Sequence, residues 1–232
     1  MTIEVNSLFK SYKNRVVLQD ISFTAQSGQI IGIAGGNGSG KSTLLSILAG
    51  VCRADSGSFL LDGEDLLKNK SLSNFSVGYV PQNTVLFEEL SGTDNLRLWY
   101  SKEELESSLE SNGILSLLDL KPFMNKIVSK MSGGMKKRLS IACALARNPQ
   151  ILLLDEPSGA LDLACKQKLY EWYKDFASHG GIIIISSHEV QELELCTNTF
   201  VLKGSSLVPF DYSGDVQSLI QLFEQDDSQD VK

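Results

Sequence analysis

The run Gly35-Gly36-Asn37-Gly38-Ser39-Gly40-Lys41-Ser42-Thr43 combines backbone freedom, one cation and several hydroxyls in a form suited to holding phosphate. Glycines let successive backbone N–H groups turn inward around anionic oxygens without side-chain clash. Gly35, Gly40, Lys41 and Ser42 fit the spacing G-x-x-x-x-G-K-[ST] of a phosphate-binding loop, or P-loop. A helix beginning near Lys41 aims its dipole and its free N–H groups at the same anion. Lys41 then brings a point charge to the β- and γ-phosphates of a nucleotide, and the Ser42 hydroxyl ligates Mg²⁺.

A second set of residues can work on what such a loop holds. Ile151-Leu152-Leu153-Leu154-Asp155-Glu156-Pro157 is an apolar strand ending in two carboxylates, and ligands bind at the carboxyl ends of strands in open α/β sheets. Asp155 is placed to hold Mg²⁺, directly or through water. Glu156 is placed to polarise an attacking water as general base. Taken alone, the motif is only a strand with a polar end, and the P-loop is what gives it meaning. His188 follows the buried run Ile182 to Ser187, on a strand expected to neighbour the catalytic ones. Its ring can reach the γ-phosphate or orient the water. His179, before Gly180-Gly181, reads as structural or solvated. Gln82, just past Val80-Pro81, can offer a carbonyl oxygen near Mg²⁺ and the water.

Met131-Ser132-Gly133-Gly134-Met135-Lys136-Lys137-Arg138-Leu139 starts another helix. Ser132 is a natural N-cap, and Leu139, Ala142, Cys143 and Ala146 form an apolar stripe. Lys136, Lys137 and Arg138 fall on the polar side of that reading. Two glycines at a helix start disfavour the helix, which points to close approach of a phosphate there.

These residues need elements to hold them. Ile3, Val5 and Leu8 alternate with polar residues, and Val16 to Ala25 is a second β-rich run. Ile30-Ile31-Gly32-Ile33-Ala34 is continuously apolar, as a strand buried on both faces requires. Lys41 to Gly50 reads as helix, Ser58 to Asp62 as a short strand, and Val77 to Val80 as a strand ended by Pro81. From about Val85 to Asn148 strand signals vanish, and helical patterns fill an insertion between two strands of a parallel sheet. Ile182-Ile183-Ile184-Ile185 and Phe200-Val201-Leu202 are later strands. Val216 to Phe223 is weakly amphipathic, and residues 226–232 read as a frayed tail.

A chain of 232 residues with 42% hydrophobic content suits one large α/β domain with an insertion. A charge of -7 and a pI near 4.9 argue against a broad nucleic-acid-binding surface, and no nucleic acid is expected as partner. No apolar stretch approaches the ~18 residues of a membrane span. The start, Met1-Thr2-Ile3-Glu4, lacks signal-peptide character. Cys52, Cys143, Cys165 and Cys196 form no CxxC pair and read as buried, inert thiols in a reducing cytosol, ahead of a redox or metal site.

In order along the chain, these motifs resemble the ATP-binding cassette (ABC) ATPase family, and the six besides Tyr12, in register, make chance negligible. Tyr12 fits the aromatic loop that stacks on adenine. Gly35 to Ser42 resembles Walker A, Gln82 the Q-loop, Ser132-Gly133-Gly134 the signature and Ile151 to Glu156 Walker B. Ser158-Gly159-Ala160-Leu161-Asp162 resembles the D-loop, and His188 the switch histidine. The resemblance implies an α/β fold: a P-loop NTPase core with a parallel sheet, an N-terminal antiparallel β subdomain and an inserted helical subdomain, all one ABC ATPase domain over residues 1–232. It implies ATP and Mg²⁺ as ligands, with the phosphates on Gly35 to Thr43 and on the signature residues. It also implies a head-to-tail homodimer sandwiching two ATPs, each between one chain's Walker A and the other's signature. A transmembrane permease is the further partner, seating the chain on the cytoplasmic face of the cell membrane.

The signature often carries Gln after its second glycine, where Met135 stands here. Ser-Gly-Gly-Met-Lys-Lys-Arg-Leu, with Leu86-Phe87-Glu88-Glu89-Leu90-Ser91, resembles ATPases paired with type-2 ABC exporter permeases. Export is therefore the leading expectation, ahead of an importer ATPase or a soluble ABC ATPase acting on an assembly. Intact Lys41, Glu156 and His188 argue against a non-hydrolysing cassette.

Overall fold

The structure is a computed structural model that describes residues 1–110 and 114–210. The expected amphipathic segment Val216 to Phe223 and the tail at 226–232 lie outside the described residues.

The chain opens with a hairpin of β1 (Thr2–Tyr12) and β2 (Arg15–Gln26). Alternation decides its faces: Ile3, Val5 and Leu8 on one strand, and Leu18, Ile21, Phe23 and Ala25 on the other, are buried. The apolar strand β3 (Ile30–Ala34) is buried at every position. It feeds the glycine loop and α1 (Lys41–Leu48), whose Leu44, Leu45, Ile47 and Leu48 are inaccessible. Gly50, with φ of 70°, closes that helix.

Next come β4 (Ser56–Leu61), β5 (Glu64–Asp65), α2 (Lys70–Ser76) and β6 (Val77–Val80). β4 starts two positions before the expected Ser58 because Ser56 already pairs with Phe9 of β1. It stops short of Asp62, which turns away with φ of 47°. α2 is an element that periodicity did not reveal. Its one usable signal is Asn69, whose side chain accepts the Leu72 N–H at 3.1 Å as N-cap.

Between β6 and β7 the described elements are helical: α3 (Gly92–Arg97), α4 (Lys102–Glu110), α5 (Ile114–Leu117), single 3-10 turns at Lys121–Phe123 and Val128–Lys130, and α6 (Gly133–Ala144). Only an isolated bridge between Ser91 and Ile127 interrupts that pattern. The chain returns to the sheet with β7 (Ile151–Asp155), α7 (Leu163–Ser178), β8 (Ile182–Ser186), α8 (Val190–Leu193), β9 (Asn198–Lys203) and β10 (Ser206–Pro209).

The strands form two sheets. One is antiparallel in the order β2-β1-β4-β5, and the other runs β10-β9-β3-β8-β7-β6. The second is parallel from β9 to β6, with β10 antiparallel at its edge. Its central strands β7 and β8 are apolar up to their last residues because two cores claim alternate residues. Ile151, Leu153, Ile182 and Ile184 face the core shared with the antiparallel sheet and α1. Leu152, Leu154, Ile183 and Ile185 face the core shared with the helical segment and α7. Each such side chain contributes about 1.5–3 kcal/mol on burial, so both layers are needed to keep the sheet.

Behind the carboxyl edge of this sheet lies a buried acid. Glu192 in α8 is fully inaccessible, and neither carboxylate oxygen makes a hydrogen bond of good geometry. Burial raises its pKa to about 7, with the neighbouring hydroxyls of Ser187 and Ser158 pulling the other way. An acid whose folded pKa lies above its unfolded value near 4.5 destabilises the fold once ionised. The penalty is absent below pH 4.5, grows as the pH rises toward 7 and is complete above it. Glu192→Gln is therefore expected to be the more stable protein at pH 8, by up to about 3 kcal/mol. At pH 5 the gap shrinks below about 1 kcal/mol. Urea unfolding of both proteins at the two pH values is the measurement, and an identical gap at each would show that Glu192 does not titrate in this range.

Candidate nucleotide site

β3 and β7 flank β8, so the ends of all three strands gather at one edge of the sheet. The glycine loop leaves β3, Asp155 and Glu156 end β7, and His188 follows β8. The loop's last glycine shows why glycine is required: Gly40 has φ of 111°, and a Cβ there would meet the side chain of Val17 at 2.9 Å. Lys41 is buried and donates to the carbonyls of Gly35 at 2.8 Å and Gly36 at 3.0 Å. Burial lowers its pKa, opposed by the charges of Glu156 and Asp155. The Ser39 hydroxyl is buried in the loop without a hydrogen-bond partner.

A cleft of about 380 Å³ opens beside the loop. It is lined by Tyr12, Asn37, Gly38, Gly40, Lys41, Ser42, Thr43, Gln82 and Glu156, together with Arg15 and Val17 of β2. The last two are additions to the sequence reading. The hairpin register, which sets Arg15 opposite Tyr12, is the signal that finds the first of them. Tyr12 is half exposed, with its hydroxyl 3.3 Å from Cys52 Sγ and the Lys10 ammonium 5.1 Å from its ring centroid. Lys10 is itself held by Asp55 at 2.9 Å, so the ring is fixed from two directions.

At the other strand ends the carboxylates differ sharply. Asp155 is buried and accepts from the Ser186 hydroxyl at 2.5 Å, its register partner on β8. Glu156 has φ of 45°, a left-handed backbone that costs of order 1 kcal/mol in a non-glycine residue. Its N–H donates to the Ser186 carbonyl at 3.0 Å. That turn aims its side chain at two partners: Gln82 Nε2 donates to Oε2 at 2.9 Å, and His188 Nδ1 lies 3.5 Å from Oε1. Gln82, Glu156 and His188 come from three separate segments and meet at one carboxylate.

The donors present fit Mg²⁺. Ser42 and Asp155 supply hard oxygen, and no group of three His, Cys, Asp or Glu residues among the described ones forms a protein cage. Mg²⁺ is held in this way, by one or two protein oxygens with substrate phosphates and water completing the shell. With its nitrogen donated to Glu156, Gln82 keeps its carbonyl oxygen for that role.

Ser132, Gly133 and Gly134 do not line this cleft. Ser132 caps α6 as expected, accepting the Met135 N–H at 3.3 Å. A Cβ on Gly134 would lie 2.8 Å from the Ala160 carbonyl oxygen of the same chain. The second glycine is thus demanded by Ser158-Gly159-Ala160, whatever else approaches it. The polar side expected for α6 needs correction. Lys136 reaches Glu88 at 2.7 Å, and Arg138 lies 5.3 Å from the Phe123 ring centroid. Lys137 is buried, donating to the carbonyls of Pro81 at 3.1 Å and Gln82 at 3.3 Å. α6 is packed on opposite sides, so Lys137 has no route to solvent.

Residues 18–159, more than half of the chain, match the family model described as ABC transporter. The chain belongs to the ABC transporter family. It is 33% identical, over 88% of its length, to Nod factor export ATP-binding protein I of Sinorhizobium fredii (strain NBRC 101917 / NGR234). It is 31% identical to the probable sulfate/thiosulfate import ATP-binding protein CysA of Chlorella vulgaris, covering 90% of each chain. A solved dimer of the ATP-binding cassette MJ0796, in a post-hydrolysis state bound to ADP and Pi, aligns with a TM-score of 0.79 and 25% identity over 88% of this chain and 96% of that one. The chain spans 60% of the length of the Nod factor relative and 38% of another curated relative. As an ABC ATPase cassette it has the P-loop NTPase core described above.

The two signature glycines of this cassette face different demands. A Cβ on Gly133 meets only the Ala160 Cβ at 3.4 Å, an ordinary contact. Gly133→Ala should leave folding stability unchanged or raise it, because alanine favours helix by about 0.5–1 kcal/mol. Gly134→Ala must displace the Ala160 backbone and should cost about 1–3 kcal/mol, as overpacking does. Denaturant titration of both variants checks this, and equal stabilities would mean that the Ser158 to Leu161 loop yields freely.

Proposed function

We propose that the chain is the ATP-binding and ATP-hydrolysing subunit of an ABC exporter, driving transport through a separate transmembrane permease. The convergence of Gln82 and His188 on the Glu156 carboxylate, beside the Lys41 loop, is the observation that carries this reading. On it, Tyr12 stacks on the base, the loop from Gly35 to Thr43 cradles the phosphates, and the Lys41 ammonium turns from the Gly35 and Gly36 carbonyls toward the phosphate oxygens. Ser42 and Asp155 would hold Mg²⁺ with the Gln82 carbonyl near it, and the chemistry it would supply is charge neutralisation on the phosphates. Glu156 polarises a water for in-line attack on the γ-phosphorus and accepts its proton, while Gln82 and His188 keep the carboxylate aimed. ADP is the leaving group.

Export is supported by Met135 after the signature and by the stretch Leu86 to Ser91. Val85, Phe87, Leu98 and Trp99, exposed at 82%, 59%, 54% and 51%, give the helical segment an apolar surface for the permease. Among the described residues no helix is long and apolar enough to cross a membrane. On this reading a separate permease holds the chain at the cytoplasmic face. We take residues 85–148 as the docking subdomain. Import is the second reading, favoured by the resemblance to a sulfate/thiosulfate import protein over nearly the whole chain.

Ser132, Gly133 and Gly134 lie outside their own chain's cleft, which supports a head-to-tail dimer in which they close the cleft of a second copy. Glu156→Gln keeps the shape of the side chain and removes the base. It should bind MgATP, turn over at least about a hundredfold more slowly and elute as a dimer in gel filtration with MgATP. Monomer alone under those conditions would count against the shared site. Ser132→Arg separates the two roles of that residue. If it only caps α6, the cost is about 1 kcal/mol of stability with turnover retained. We expect instead a folded, ATP-binding protein without ATPase activity, because arginine blocks closure of the dimer.

A further inference from the structure

We propose that Lys137 is a positioning residue for hydrolysis: its ammonium ties the signature helix to the backbone of Pro81 and Gln82 and thereby holds the Gln82 amide on Glu156. The contacts run without a gap. Ser132 caps the first turn of α6. One turn on, Lys137 is only 3% exposed, and its Nζ donates to the Pro81 carbonyl at 3.1 Å and the Gln82 carbonyl at 3.3 Å. The Gln82 side chain then donates to Glu156 Oε2 at 2.9 Å.

A buried ammonium is a costly way to fill this space. A methionine of similar length would occupy it without desolvating a charge. What the ammonium adds is geometry, since two carbonyls from successive residues fix the path of the chain as it leaves β6. The field favours it there, because Asp155, Glu156 and Glu192 all act on Lys137 as nearby negative charges. Lys136 adds a second attachment, to Glu88 at 2.7 Å, but Glu88 is 60% exposed and such a pair contributes little. The buried link is the one able to carry force. Through it, any tilt of α6 when the signature engages a phosphate moves Gln82 relative to the general base. The outermost part of the site and the water-activating carboxylate are joined by one side chain.

This inference rests on Gln82 serving the hydrolytic site, so the test must separate the two. Steady-state ATPase kinetics of the full chain are measured for Lys137→Met, Lys137→Arg, Gln82→Ala and the double variant Gln82→Ala/Lys137→Met. Lys137→Met should lower kcat by about tenfold or more while KM for MgATP stays within about twofold. Its thermal unfolding should stay close to wild type, and Lys137→Arg should restore most of kcat because it keeps the donors. The double variant should be no slower than Gln82→Ala alone, because both changes break the same link. Should Lys137→Met not fold, Lys137→Leu, which likewise lacks a donor, takes its place in the same comparison. Wild-type kcat in Lys137→Met, losses that multiply in the double variant, or a matching loss in Lys137→Arg would each overturn the tether. Wild-type kcat in Gln82→Ala would overturn the role of Gln82 itself, and the tether with it.

Discussion

Everything at this site depends on a sheet whose central strands must be apolar on both faces. β7 and β8 send the alternate residues Ile151 to Leu154 and Ile182 to Ile185 into two separate cores, so no side chain before the last residue of either strand is free to do chemistry. Polar function is pushed to the points where strands stop. Parallel pairing then aligns those points on one edge, since β3, β8 and β7 all run the same way. The glycine loop, the two carboxylates and His188 are neighbours for that reason, although the chain separates them widely. The register is equally strict: Asp155 lies opposite Ser186, and a one-residue slip would exchange the two cores and remove that pairing.

The edge of the sheet is crowded with charges that burial opposes. Lys41, Lys137, Asp155 and Glu192 are all buried, and each is accommodated differently. The two lysines find backbone carbonyls, the aspartate finds a serine hydroxyl, and Glu192 finds no well-made hydrogen bond and shifts its proton affinity instead. The outcome is a gradient of commitment. Asp155 is fixed by a strand and a hydroxyl, whereas Glu156, one residue on, sits in a strained turn and is aimed by side chains from two loops. A metal ligand profits from the first arrangement. A base that must meet water in a changing site profits from the second.

Much of this was legible in the sequence because the chemistry demanded unusual residues at fixed spacing. Gly35 to Ser42, the run ending in Asp155-Glu156, and His188 after a buried strand announced themselves, and the structure gathers them at one edge. Tyr12 was readable only through resemblance, since a tyrosine at a strand end says nothing by itself. What periodicity missed has physical causes. Lys137 looked solvated because one apolar stripe was taken as the only buried side of α6, yet the first turns of that helix are enclosed from the opposite side too. Gly134 was read as a place for a phosphate, and a second demand on it, the Ala160 carbonyl oxygen that forbids a Cβ, could not be read from spacing. α2 went unseen because its sequence, rich in serine, carries no apolar stripe, and only Asn69 marks its start.

On the proposed reading one chain holds two surfaces for a phosphate, and the signature residues lie outside the chain's own cleft. The cleft beside Lys41 has charge, hydroxyls and a base, but it is lined on one side only. The α6 N-terminus has the capping serine and two glycines, and the lysine of its first turn, Lys136, is paired with Glu88. On the proposed reading a second copy supplies each cleft with what it lacks, so nucleotide is shared between chains and its binding energy appears as association. The D-loop geometry bears on the same closure. Ala160 lies against Gly134 of its own chain, and Asp162 caps α7 by accepting the Cys165 N–H at 2.9 Å. The signature start, the D-loop and the end of β7 are therefore packed as a unit, and an approaching phosphate at one would be felt at the others. With Lys137 carrying the same helix to Gln82, the general base is reached from both sides of its own turn. On that reading the seating of the signature helix bears on hydrolysis through Lys137 and Gln82, which hold a carboxylate that its own chain already aims.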